Sequence, residues 1–574
     1  MTPTTSNWVL HPRHSAAKAA ELAAALGAPL PIGHVLVNRG IDTADQAQQF
    51  LSPELDSLHN PGEMLGIERA AERILAAIER GERISIEGDY DVDGITSTFL
   101  LHSALLELGA DVVFHIPHRI DEGYGLKDIG VRRANVLGCK LLVTVDCGVT
   151  AVPEIALANS LGIDTVVTDH HEPPARLPDA HAIVNPLQPG CPYPFKHLAG
   201  VGVAFKLVER LFQGRGGLDH AASYLDVVAL GTIADVVPLV GENRVLARLG
   251  LERMNRLLRP GLRALAFRAG LLDTHGGLKP ITSTRVAFNL APRLNAAGRM
   301  GDASDGVALL QATDTAGAEA IAGRLEKRNK ERRERSEEAQ DLARQLYERE
   351  SELGHCESSI VLWHKDWHPG VVGIVATRFA EKEHKPTLLL TINGPTARGS
   401  GRSVPGVDLT KLLDECDDLL RGHGGHAFAA GLEVEIGRLE EFRTRFDALV
   451  GRDAASRGGP SLPVDAEVTP GECTLELVEW IERLAPFGLG NDEPVFQWLG
   501  AEVHRVGTVG KAAEHLRLEL GEREPRLQAI GFNMGHRIRS GESSRLADLA
   551  FTPTRNEWKE ETRVQLKLRE IKLT

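Results

Sequence analysis

The sequence predicts a multidomain α/β protein. A parallel-sheet domain should lead through a long helix to a second α/β domain, with a small β-barrel or sandwich at the C-terminus. Three observations predict this. Short apolar strands alternate with helical stretches from about residue 66. A proline-free run of helix formers with both charge signs spans about 314 to 350. Short alternating runs recur beyond residue 463. With 574 residues the chain also exceeds the roughly 250–300 residues at which single cores stop growing.

Residues 1–60 form a helical region: SAAKAAELAAALG is Ala-rich, and a second short helix follows a proline break. Residues 61–270 form the first α/β domain. Its strands are RISIE (83–87), DVVFHI (111–116), LLVTVD (141–146), DTVVTD (164–169) and AHAIVN (180–185). SALLELG, KDIGVRRANVLG and AVPEIALANSLG lie between them as helices. Apolar strands alternating with helices indicate a parallel sheet covered on both faces. Residues 200 to 270 read as helical, with VGVAFKLVERLF as a core stripe. Residues 271–354 form a connecting region whose long helix is expected to be largely exposed to solvent. In 355–455, SIVLWHKDW, VVGIVATRFAEK and PTLLLTI open a second β/α unit. RDAASRGGPSLP (452–463) reads as a linker into 456–574, where HLRLEL, RLQAIGF, RLADLAFTP and VQLKLREIKL alternate as strands.

Composition narrows the class. The chain is 42% hydrophobic and 25% charged, so it is globular. Its six cysteines include no C-x-x-C pair, so neither a disulfide framework nor a zinc site is indicated. MTPTTSNWVLHPRH lacks an apolar signal core, and no run of 18 apolar residues follows. A cytoplasmic protein with no membrane contact is expected. The net charge of −14 argues against a large nucleic-acid-coating surface but permits a local basic groove.

The chemistry concentrates in EGDYDVDG (87–94). Three aspartates at alternate positions before a glycine resemble an EF-hand loop, but such a loop needs an acid at its twelfth position. Counted from Asp89 that residue is Leu100, and the preceding segment alternates as a strand. Calcium by that route is excluded. Asp89, Asp91 and Asp93 instead follow one strand, Asp146 ends a second, and Asp169, His170 and His171 end a third. In an open parallel sheet these carboxyl ends share one edge, where ligands bind. Asp235 joins them as an acid in the apolar stretch GTIADVVPL. One such acid is readily explained as a helix N-cap. Three strand ends supplying this many carboxylates are not, because the charges repel unless cations neutralise them. Carboxylates with imidazole suit Mn²⁺, or Mg²⁺ with less preference for nitrogen. The number of ligands points to two ions, with Asp146 as the bridge. Two ions binding a phosphate and activating a water would hydrolyse a phosphoester or phosphoanhydride.

GDYDVDG, TVDCG, TDHH and GTIADVVPL resemble, in order, four motifs of the DHH phosphoesterase superfamily. LNAAGRM (294–300), WHPGVVGIVATR (367–378), SGRS (400–403) and GHGGHAFAAG (422–431) resemble its RecJ branch. The tripeptide DHH is weak evidence, but eight motifs in order are specific, and the likeness runs from about residue 50 to the end. It implies a metal-dependent exonuclease that degrades single-stranded DNA from the 5′ end, in repair and recombination. It also implies a DHH-associated second domain and a C-terminal OB-fold. The resemblance makes Asp91, Asp93, Asp146, His170 and Asp235 metal ligands and turns His171 toward the phosphate. Asp89 is either a ligand or an orienting group. Single-stranded DNA is the implied partner, with a single-stranded-DNA-binding protein and a RecQ-type helicase beside it, and the chain is expected to be a monomer.

Substrate contacts are expected around this centre. PHRIDEGYGL (117–126) follows a strand, so Arg119 can grip a phosphate and Tyr124 can stack on a base or sugar. Arg293 and Arg299 sit in APRLNAAGRM. Helix-end salt bridges are the ordinary reading for both, and the resemblance makes Arg299 a phosphate contact. Ser400, Arg402 and Ser403 are expected in a Gly-rich turn, a nest for an anion. His423 and His426 lie among glycines that let a ligand approach the backbone, with a plain tight turn as the rival. His368 precedes a turn signal, and Cys147 reads as a small buried residue. Two other functions compete. Hydrolases of short oligonucleotides, cyclic dinucleotides or pyrophosphate are smaller and lack the terminal barrel. An inactive DNA-binding scaffold would have lost motif acids, and here all are present.

Overall fold

The computed structural model describes residues 7–119, 121–452, 461–521, 526–537, 546–558 and 561–573. The chain forms two compact units. One comprises His59–Asp235 and Gly250–Gly458. The other comprises Met1–Leu58, Val236–Leu249 and Gly459–Thr574.

The first of these contains a five-stranded, fully parallel sheet. Its spatial order is Val112–His115, Ile84–Glu87, Leu141–Val145, Asp164–Thr168, Ala182–Val184. The three inner strands are buried on both faces apart from Asp164, as a doubly covered sheet requires. Strand order reverses between 84–87 and 141–145, and that switch point opens a crevice at the carboxyl ends. The helices Val92–Glu107, Asp128–Val136 and Val152–Ser160 make the crossovers.

The long helix runs Thr315–Glu352, capped by the Asp314 side chain on the Gly317 N–H. It is not wholly solvated. Ala318, Ala322, Leu325, Ala339 and Ala343 make a buried stripe at helical spacing. A second sheet follows, ordered Leu420–His426, Ala429–Glu435, Thr396–Arg402, Thr387–Asn393, Ile360–His364. It is antiparallel except for its last pair. Here the structure corrects one expectation. SGRS lies in and just after the strand 396–402 rather than in a turn. The GHGGH residues form the edge strand 420–426 of a hairpin whose tip is Ala427 and Phe428.

The other unit contains a closed barrel. Phe496–Val509, His515–Leu520, Leu527–Gly531, Glu561–Leu573 and Leu546–Trp558 pair in that order, and the last pairs back to the first. Its core is shared with the helices Ala16–Leu26, Leu30–Asn38, Ala44–Leu51 and Leu475–Leu484. The N-terminal helical region, which the sequence sets apart, thus packs with residues from the far end of the chain. Residues 453–460 of the expected linker lie outside the described residues, and Ser461–Val464 pair with Asn7–Leu10. No single helix among the described residues is long and apolar enough to cross a membrane.

Candidate active site

The acids converge at the switch point. Asp91 caps the helix Val92–Glu107, its Oδ1 accepting from Asp93 N at 2.9 Å and Gly94 N at 3.1 Å. The capping role and a place in the acid cluster therefore coexist. Asp93, buried, accepts from Gly200 N (2.6 Å) and Val201 N (2.8 Å) at the start of the helix Gly200–Leu211. The positive end of that helix favours an anion there. Asp146 follows its strand with φ 60°, a left-handed backbone uncommon outside glycine and tolerated by Asp. Strain of this kind gathers at functional sites. Asp235 ends the helix Leu225–Ala234.

His170 Nε2 lies 3.1 Å from Asp146 Oδ1, 3.7 Å from Asp235 Oδ2 and 3.9 Å from Asp93 Oδ2. Among the described residues, three donor groups have ligand atoms within 4.8 Å of one another: Asp89/Asp91/Asp146, Asp93/His170/Asp235 and Asp146/His170/His171. Asp146 belongs to two of them, as a carboxylate shared by two ions would. Among the described residues, Asp89 Oδ1, Asp146 Oδ1, Asp235 Oδ2 and His170 Nε2 are buried without a hydrogen-bond partner. Buried acceptors left unsatisfied are costly, and hard divalent cations satisfy oxygen and imidazole donors alike. The residues present fit two such ions.

The titration behaviour agrees. Burial first, then the surrounding acids, pushes Asp146 well above the usual carboxylate range, and Asp89 and Asp235 follow the same pattern. Asp93 is pushed up to about 7 by burial and Asp91. Burial, then His171, brings His170 down to about 4, so its ring is neutral and can ligate. Asp169 behaves oppositely. Burial would raise it, but its bond to His171 outweighs this and holds it low. Its Oδ1 lies 2.7 Å from His171 Nδ1 and accepts from the backbone N–H of both histidines, and its Oδ2 accepts from Val149 N. Asp169 thus fixes the ring of His171, raising its pKa against burial. The sequence placed Asp169 at this edge without giving it a role. Its position in the DHH triplet was the available signal.

One further residue shapes the cluster. A Cβ at Gly200 would stand 2.6 Å from Asp146 Oδ1 and 2.7 Å from its Cβ. Ala suits the first turn of a helix, so Gly200→Ala should fold. It should lower turnover about 10- to 100-fold by displacing Asp146, the scale of disturbing a ligand's supports. Comparing kcat and thermal unfolding checks this, and near-native turnover would show that Asp146 can move freely.

Beside the acids lies a basic receptor. The Arg119 guanidinium sits over the Tyr90 ring at 4.7 Å. Arg299 donates to the Gly370 carbonyl at 3.1 Å. Arg402 donates to Ser400 Oγ and the Gly401 carbonyl, both at 2.7 Å. Burial, then Arg119, Arg332 and Arg402, lowers Arg299 to about 9. Burial and Arg119 likewise lower Arg402. Among the described residues none of these three arginines forms an ion pair with a carboxylate. Mutually repelling guanidiniums without carboxylates are completed by an anion such as phosphate.

The other candidates divide. The Tyr124 hydroxyl lies 3.0–3.2 Å from the His171 ring nitrogens and donates to the Asp146 carbonyl at 3.3 Å, tying the loop to the acid cluster. His426 sits close enough to His170 for its charge to lower that ring's pKa. Ser403 donates to the Val407 carbonyl at 2.7 Å, a turn-closing bond. His423 faces Asp414 and Asp417 at 3.6 and 3.4 Å. It pairs across the hairpin with buried Leu432, on the core side of its sheet. Arg293 pairs with Glu326, His368 caps the helix Pro369–Glu383, and Cys147 is buried. Asn295 was not anticipated. Its Oδ1 accepts from Val92 N at 3.2 Å, binding the Arg299 helix to the acid loop.

Comparison with known proteins places this site in a family. Residues 83–232 match the DHH family N-terminal domain, 357–452 the DHHA1 domain and 464–570 the RecJ OB domain. The single-stranded-DNA-specific exonuclease RecJ of Salmonella typhimurium is 35% identical over 97% of this chain and 98% of its own length. The chain belongs to the RecJ family. RecJ of Bacillus subtilis is 38% identical over 94% of this chain and 67% of its own length. The crystal structure of RecJ from Thermus thermophilus in complex with Mn²⁺ matches with a TM-score of 0.83. That match is 30% identical and covers 99% of this chain and 79% of the other. The RecJ-type DHH, DHHA1 and OB domains account for both sheets and the barrel.

Proposed function

We propose that this chain hydrolyses single-stranded DNA stepwise from its 5′ end, using two divalent cations, Mn²⁺ or Mg²⁺. The observation that carries this reading is that, among the described residues, buried Asp89, Asp146, Asp235 and His170 atoms lack a hydrogen-bond partner and the three neighbouring arginines form no ion pair with a carboxylate. Relatives named as single-stranded-DNA-specific exonucleases, and the Mn²⁺ and Mg²⁺ complexes of the Thermus protein, support it.

Asp91, Asp93, Asp146, His170 and Asp235 would hold the ions, with Asp89 beside them. Bound there, the ions would polarise a phosphate and lower the pKa of a water. The chain's own residues do the rest. Arg119, Arg299 and Arg402 bind phosphate oxygens and fix which end of the strand enters, with Ser400, Ser403 and His426 as further contacts. His171, its ring fixed by Asp169, holds a proton toward the phosphate. The Tyr124 ring, 41% exposed, offers a stacking face that is indifferent to sequence. The barrel holds the trailing strand. A cytoplasmic monomer working beside a single-stranded-DNA-binding protein and a RecQ-type helicase completes the reading.

The test is digestion of end-labelled oligonucleotides. Single strands with a free 5′ end should be degraded from that end. Duplexes, 5′-blocked strands and circular single strands should resist. Degradation from the 3′ end, or internal cutting of circles at a similar rate, would overturn the reading.

A further inference from the structure

The loop 117–125 must hold Arg119 and Tyr124 against the crevice, and one of its side chains faces inward to the loop itself. The Glu122 Oε1 accepts the His118 backbone N–H at 2.8 Å. In return the His118 carbonyl accepts the N–H groups of Glu122 (2.8 Å) and Gly123 (3.2 Å). The neck of the loop is closed from both directions. The other carboxylate oxygen, Oε2, lies 3.0 Å from His115 Nε2, and His115 is the last residue of the strand Val112–His115. The loop is thereby anchored to the sheet. The Glu122 side chain is 16% exposed, so water competes little for these bonds. Arg119 lies inside the closed neck. Tyr124 follows it between Gly123 and Gly125, whose φ values of 84° and 76° are left-handed. Two glycines give the freed loop many conformations, so its order has to come from elsewhere.

We propose that Glu122 is a positioning residue, whose carboxylate clasps His118 to the strand end at His115 and so presents Arg119 and Tyr124 to the terminal nucleotide. The proposal rests on the reading of Arg119 as a contact for the 5′ phosphate. A charge-assisted contact to a phosphate pays off only when its donor is already in place. A loosened loop should therefore weaken recognition of the phosphate, while Asp146 and His171, which the Tyr124 hydroxyl touches, keep their places at the ends of their own strands.

The experiment measures kcat and KM of the full chain on 5′-phosphate and 5′-hydroxyl single strands, with Mn²⁺ affinity by calorimetry. Glu122→Ala should raise KM for the 5′-phosphate substrate about tenfold and bring the phosphate preference close to one, with Mn²⁺ affinity unchanged. Glu122→Gln keeps an oxygen for the His118 N–H and should keep the wild-type preference. In the Arg119→Ala background, Glu122→Ala should lower the preference no further. If Glu122→Ala does not fold, the ratio is read in Glu122→Asp, whose carboxylate is one methylene short of reaching both partners. A folded Glu122→Ala or Glu122→Asp protein with the wild-type preference overturns the clasp. An effect additive to Arg119→Ala overturns it too. A wild-type enzyme with no phosphate preference overturns the receptor reading and the clasp with it. Preference lost in Arg119→Ala but kept in Glu122→Ala overturns the clasp alone.

Discussion

Asp146→Asn is expected to lower turnover on the order of 10³-fold or more while the chain stays folded. Disturbing only the supports of a metal ligand typically costs about 10- to 100-fold, and Asp146 is the carboxylate common to two of the three donor groups. Its loss would disorganise both ion positions, and the fixed placement of charge is the catalysis. Stability should move the other way. In the metal-free protein burial, then Asp93, Asp91, Asp235 and Asp89, opposes ionisation of Asp146, so a neutral replacement removes that cost. Asn is the informative replacement because it keeps the side-chain shape and tolerates φ 60°. Asp146→Ala should be as inactive but less stabilised, since Ala resists that backbone. Circular dichroism melting and kcat on a single-stranded oligonucleotide decide the matter. A well-folded variant with near-normal turnover would place the bridge elsewhere.

The strands at 84–87, 141–145 and 164–168 were legible because their apolar runs are local and their ends carry acids. Position at a strand's carboxyl end then implied convergence, and Asp89, Asp91, Asp93, Asp146 and His170 do converge. The glycines at 399 and 401 misled because glycine has two uses. A Cβ at Gly399 would meet the Leu389 carbonyl at 2.3 Å, and one at Gly401 would meet Leu388 Cδ2 at 2.4 Å. Close packing between neighbours, rather than turn geometry, accounts for them, and no local pattern distinguishes the two. The shared core of the N-terminal helices and the barrel was hidden for a similar reason. Leu22, Leu36 and Leu51 pack with Leu477, Phe496 and Leu566, and amphipathicity alone does not name the partner. Glu122 was invisible because an acid in a turn is ordinary until its backbone partners are known.

Withdrawing divalent cations should abolish hydrolysis, and Mn²⁺ should restore it at least as well as Mg²⁺ because His170 supplies nitrogen. The same titration predicts how stability depends on pH. Asp93, with its pKa near 7, and Asp89, Asp146 and Asp235, all raised by burial first, bind protons more tightly in the folded metal-free chain than unfolded. Between their unfolded pKa of about 4 and the raised values the folded state therefore carries more protons. Their contribution to stability is fully present at low pH and is lost as pH rises through the raised pKa values. His170 works against this only below its unfolded value of about 6.5, because it is buried neutral. A cation competes with those carboxyl protons, so it binds more tightly as pH rises, and its stabilisation grows with ligand saturation. The rise in melting temperature on adding Mn²⁺ should accordingly be larger at pH 7.5 than at pH 5.5, and Asp146→Asn should lose most of that difference. Full activity in excess chelator, or a Mn²⁺-induced shift equal at both pH values, would remove the two-cation account of this cluster.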